Sequence, residues 1–198
     1  AISALNITPE VTLATYLKQG GLTIKDIKLV TVAHPDMLLA LKNGSIDVGL
    51  PIEPSLSRIL EAGVATVLTY SDKVTPGHQT AVVLYGEKFL QQGNVPVRFM
   101  KAYLQGARFY NDAFVKKDSA KRAEAIAILA AATKLDAKLF ETMVMPGIDP
   151  SGKVNIQSLN EIQDYFVKKG AQPKAIDMTK AVDLSFAAEA ERQLGAYK

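Results

Sequence analysis

His34-Pro35-Asp36-Met37-Leu38-Leu39-Ala40-Leu41-Lys42-Asn43-Gly44-Ser45-Ile46-Asp47-Val48-Gly49-Leu50-Pro51-Ile52-Glu53-Pro54 sets a helix, its stop and an extended run in immediate succession. Pro35 has its φ fixed near the helical value and lacks the N–H that a first turn leaves unpaired, so it opens the helix. Met37, Leu38, Ala40 and Leu41 give that helix an apolar side, and Asn43-Gly44 ends it. Ile46 to Leu50 then reads as a strand. Pro51 to Pro54 turns the chain into a further helix from Ser55 to Ala62, closed by Gly63.

The same unit repeats outward from this stretch. Ile2 to Leu5 reads as the tail of a strand, and Thr8-Pro9-Glu10 as an N-cap, a proline at the first helical position and a first-turn acid. Val11, Leu13, Ala14 and Leu17 form the buried stripe of that helix, which Gly20-Gly21 stops. Ile27 to Val32 and Val64 to Thr69 are further strands. Strands alternating with helices predict an α/β lobe over residues 1–75, built on a parallel sheet. Right-handed crossovers in such a lobe bring the helix N-termini to the carboxyl edge of the strands, where a ligand is expected.

Pro76-Gly77, within Asp72 to His78, marks a boundary or hinge. After one more apolar run, Thr80 to Tyr85, residues 76–198 read as helix-rich. Pro96 starts a long helix with Phe99, Met100, Tyr103, Leu104, Ala107, Tyr110 and Phe114 at helical spacing. Further helices are predicted over 120–133, 137–144, 156–169 and 186–194, with a loop at Pro146 to Pro150. These amphipathic helices need an apolar surface, and one strand does not provide it. The expectation is that the chain as given lacks an upstream portion carrying more strands.

Composition narrows the function classes. The 198 residues are 48% hydrophobic and 22% charged, ordinary for a globular chain. Zero cysteines exclude disulfides, thiolate metal sites and cysteine nucleophiles. The net charge of +3 is spread, with 6 basic and 7 acidic residues before Gly77. That leaves no concentrated footprint for a phosphate backbone, and nucleic acid is not expected as a partner. His34 and His78 are far apart, with no acid at ligating spacing, so no metal is expected. No G-x-S-x-G elbow, phosphate loop or G-x-G-x-x-G follows a strand. Neither a cofactor nor an enzymatic activity is expected, and a binding role remains.

The stretch from His34 to Pro54 resembles the second lobe of periplasmic solute-binding proteins of the nitrate, sulfonate, taurine and thiamine-precursor type. Glu87 to Asp112 is similar to a later segment of the same family. The resemblance implies a type II periplasmic-binding-protein-like fold, with residues 1–75 as lobe two and 76–198 as the helix-rich C-terminal part of lobe one. It implies capture of a small polar or anionic organic ligand between two lobes and hinge closure near Tyr70 to Gln79. Delivery to the permease of an ABC-type importer follows, so the chain meets a membrane only through that permease and works in the periplasm or outside the cell. Two alternatives stand beside it. The effector domain of LysR-type regulators has a comparable strand, but it continues with short strands where Val95 to Leu194 reads as helix after helix. A pyrimidine-precursor enzyme of the related branch carries a cysteine-rich segment, which this chain lacks.

The resemblance places Asn6 and Thr8 in the polar turn that receives a ligand's acidic head, where helix N–H groups and the macrodipole favour negative charge. Thr8 also fits a plain N-cap. Pro51 and Glu53 fall in the family's Glu-Pro turn, whose acid faces the cleft and accepts from an ammonium, amidine or amino-pyrimidine group. A glutamate there also suits its own helix dipole. Ile52 stands where the family often has tryptophan. His34, at the carboxyl end of the second strand, is placed to donate to a ligand oxygen, although a lone loop histidine is more often a cap or solvated.

Overall fold

The computed structural model describes residues 1–198. Its helices are α1 (Thr8–Gln19), α2 (Met37–Lys42), α3 (Ser55–Glu61), α4 (Ser71–Val74), α5 (Glu87–Leu90), α6 (Val95–Phe114), α7 (Ser119–Thr133), α8 (Leu139–Thr142), α9 (Ile156–Lys169), α10 (Met178–Ala181) and α11 (Ser185–Leu194). Single 3-10 turns occupy Ile24–Asp26 and His34–Asp36. The chain divides into two compact units. One comprises Ala1–Thr80 with Gln157–Ile176, the other Ala81–Ile156 with Asp177–Lys198.

The predicted α/β lobe with a parallel sheet does not form. The only β pairing is an isolated parallel bridge between Ile2 and Thr31, and helices account for the regular structure. The reason lies in partners. A β-branched run sets an extended backbone, but a strand exists only where a neighbour completes its ladder. Residues 64–69 and 80–85 form no strand, and Leu68 and Leu84 are 69% and 86% exposed.

Three short segments in the first unit nevertheless share a direction. Ile2 donates its N–H to Val30 O and accepts from Val32 N, at 3.1 and 3.0 Å. Ala1 donates to Val48 O and accepts from Leu50 N. Each pattern brackets one residue between two neighbours of the partner, which is the parallel arrangement. Residues 1–2 therefore lie between 30–32 and 48–50, all running the same way. Ala1, Val30 and Val32 pack on a core of Met37, Ile46 and Ile59, supplied by α2, the segment after it and α3. Ile2, fully buried, lies outside that cluster, as alternation along an extended backbone requires.

Most helix ends fall where the sequence places them. After α1, Gly21 N bonds Lys18 O and Leu22 N bonds Leu17 O, and Gly21 takes φ +75°. This double bond absorbs the last carbonyls and needs a left-handed residue, which glycine adopts without a Cβ penalty. The same bond pair closes α2, from Gly44 N to Leu41 O and Ser45 N to Ala40 O. The start of α1 is a correction. Its N-cap is Ile7, without a side-chain cap, and Thr8 is already the first helical residue.

In the second unit, α6 packs against both α7 and α11. Leu104 and Ala107 of the predicted stripe are buried, whereas Phe99 and Tyr103 stay 48% and 36% exposed. Tyr85, Phe89, Phe99 and Phe186 meet edge to face, with centroids 5.0 to 5.8 Å apart, the arrangement ring quadrupoles favour. Asp112 accepts from Lys116, Lys121 and Tyr197, and these bonds hold its carboxyl far below the usual range. No helix is long and apolar enough to cross a membrane.

Candidate functional site

The parallel pairing fixes where the sequence-predicted residues go. Asn6 and Thr8 follow the central segment, His34 follows residues 30–32, and Pro51 and Glu53 follow residues 48–50. Each of the five therefore follows the same end of its segment along the chain, and no hydrogen bond joins the three groups to one another. The chain leaves the central segment toward one neighbour through α1 and returns to the other through α2.

Asn6 is exposed and holds a left-handed φ of +58°, a conformation asparagine tolerates better than most residues. Its N–H donates to Glu10 Oε2 at 2.9 Å, and its Oδ1 accepts from Lys169 Nζ at 2.9 Å. Thr8 and Pro51 are half-buried. Glu53 Oε2 accepts the N–H of Ser57 at 3.0 Å, so its carboxylate occupies one of the unpaired donors of the first turn of α3. His34 opens its 3-10 turn, and its Nδ1 is buried without a hydrogen-bond partner. Burial pushes the imidazole pKa down, which keeps it neutral at pH 7.

Sequence reasoning missed the group beneath Asn6. Glu10 is fully buried. Its Oε1 accepts from the Tyr165 hydroxyl at 3.0 Å and from Lys169 Nζ, both on α9. Burial alone raises a carboxyl, but the bonds from Lys169, from the Asn6 N–H and from Tyr165 more than offset it, and Glu10 is held below its ordinary value. Tyr165 is pushed up to about 12, by burial first and then by its bond to Glu10. A first-turn glutamate on α1 reads from sequence as a dipole partner. No local pattern links it to residues more than 150 positions away.

Chemically, these residues offer a carboxamide at Asn6, a neutral imidazole at His34 and a carboxylate at Glu53. His78, from the predicted hinge, has its Nε2 buried without a partner. Burial lowers its pKa against a smaller upward pull from Glu161. No three His, Cys, Asp or Glu side chains are grouped to hold a metal ion. In the second unit two shallow grooves, of about 300 and 450 Å³, flank α7, and none of the predicted residues lines them.

The NMT1-like family matches residues 1–130. The chain belongs to that family, and membership supports a solute-binding or related function. No curated protein and no solved structure matches the chain.

Proposed function

We propose that this NMT1-like chain is an exported solute-binding protein that captures a small polar or anionic organic ligand and delivers it to the permease of an ABC-type importer. The ligand sits at the edge of the first unit, against Asn6, Thr8, His34, Pro51 and Glu53, and no bond of it is broken there. One observation carries the reading, the match of the NMT1-like family over residues 1–130; the backbone pairing of residues 1–2 with 30–32 and 48–50, the segments that the five residues follow, supports the choice of site. Helix N-termini and neutral donors at such an edge suit an acceptor group, and a nearby carboxylate suits a donor group.

Native and denaturing mass spectra of the purified protein test this. The expected result is a native mass exceeding the denatured one by a single small organic molecule, retained on purification or acquired from a cell extract. A native mass equal to the denatured mass after both treatments would overturn the reading.

A further inference from the structure

We infer that the turn between α6 and α7, with the residues packed around it, is a docking surface for anionic lipid headgroups, so that the chain rests directly on a negatively charged membrane surface. This surface lies wholly in the second unit, and solute capture as proposed above does not depend on it.

Its basic residues are dispersed in the sequence, and the fold gathers them. The Tyr197 hydroxyl donates to Asp112 at 2.7 Å, and its ring has Lys116 Nζ 4.0 Å and the Arg108 guanidinium 5.8 Å from its centroid. Lys116 also donates to the carbonyl of Lys198, which brings residues 197–198 onto α6. Lys121 of α7 reaches the same Asp112, and Arg122 lies over the Phe114 ring at 5.4 Å. Lys117 stands exposed in the turn itself. The acids among them are Asp112, the α7 cap Asp118, and Glu141, whose carbonyl accepts from Arg122. Six of the 23 basic side chains therefore stand with three of the 20 acidic ones, which leaves 17 of each elsewhere. The whole formal excess of +3 is concentrated here.

Internal needs do not account for it. The dipole of α6 favours Lys116 and Lys117 at its C-terminal end, but Lys121 and Arg122 sit at the N-terminal end of α7, where positive charge is unfavourable, and the first turn there holds no acid. One Asp112 carboxylate does not neutralise two ammonium groups, and Lys116 and Lys121 keep 45% and 42% of their side chains exposed. The apolar member of the turn selects the partner. Val115, next to both lysines of the turn, is 62% exposed. An apolar side chain rimmed by ammonium groups suits the headgroup boundary, where the one enters the acyl region and the others meet phosphates. A nucleic-acid strand would instead stack on open aromatic faces, and both rings here, Phe114 and Tyr197, already carry cations.

Co-sedimentation of the purified protein with phosphatidylcholine vesicles containing about a third phosphatidylglycerol, against vesicles of phosphatidylcholine alone, tests this. Binding is expected to the anionic vesicles only, and it should weaken as salt rises. Lys117→Glu reverses one charge at an exposed turn position and should weaken binding by about tenfold or more, and Val115→Ser should weaken it severalfold, with melting temperatures unchanged. Lys28→Glu makes the same change in net charge at an exposed position of the first unit and should bind as the wild type. No binding to the anionic vesicles, equal binding to both kinds, or equal losses in Lys117→Glu and Lys28→Glu would overturn the inference. Unchanged vesicle binding in Val115→Ser, with tighter binding to duplex DNA than to vesicles, would overturn it in favour of a nucleic-acid surface.

Discussion

Lys169→Met is expected to destabilise the first unit by about 3 kcal/mol at pH 7, near the lower end for breaking a buried ion pair. The lower end applies because Lys169 is 35% exposed while Glu10 is fully buried, so water partly screens the ammonium but not the carboxylate. The variant leaves a buried charge with only the Tyr165 hydroxyl and the Asn6 N–H as partners. The pH dependence has a definite sign. In the wild type the folded pKa of Glu10 lies below its ordinary value. Its contribution is therefore full above the unfolded carboxylate pKa and lost as pH falls through the depressed one. In the variant, burial is no longer opposed by the ammonium, and Glu10 moves up. The gap between variant and wild type should therefore shrink from pH 7 to pH 4.5, measured by urea unfolding. A pH-independent gap under about 1 kcal/mol would mark the contact as an ordinary surface pair.

The second large effect falls in the other unit. Gly152 takes φ +71°, and a Cβ there would lie 3.0 Å from Leu104 Cδ2 and 3.3 Å from Ala187 Cβ. Leu104 is fully buried and Ala187 nearly so, and Ala187 has no side-chain torsion with which to move away. Gly152→Ala therefore adds left-handed strain of about 1 to 2 kcal/mol to overpacking of about 1 to 3 kcal/mol. The expected loss is about 2 to 5 kcal/mol, and at about 4 to 8 °C per kcal/mol for a small domain the melting temperature should drop plainly. Gly147→Ala is the control, because it meets nothing within 4 Å and has no positive φ. Equal melting temperatures for the two variants would show that the loop around Gly152 is not packed on α6 and α11.

Helices were legible because their signals are local. The Asn43-Gly44 and Gly20-Gly21 stops stand where the bonds of α2 and α1 close, and the period of Phe99 to Phe114 matches α6. Strands were not, because Val64 to Thr69 and Thr80 to Tyr85 encode only an extended backbone, and pairing depends on a neighbour that no local pattern specifies. The start of α1 was misread for a related reason. Thr8 has the right side chain for a cap, yet the helix begins one residue earlier, with Glu10 turned inward to Tyr165 and Lys169 rather than outward along the dipole. Of the candidate site, the shared direction of the segments at residues 1–2, 30–32 and 48–50 was legible from the order of units, although no sheet joins them. The network under Asn6 was not, because it joins α1 to α9 across most of the chain.

The most direct test is amide hydrogen exchange of the protein carrying the solute found by native mass, compared with the same protein stripped of it. Local protection reports which backbone groups a ligand holds closed. Binding at the edge of the first unit predicts slowed exchange in the turns around Asn6, His34 and Glu53, together with the first turns of α1 and α3. Protection confined to α6, α7 or α11, with those turns unchanged, would contradict the account.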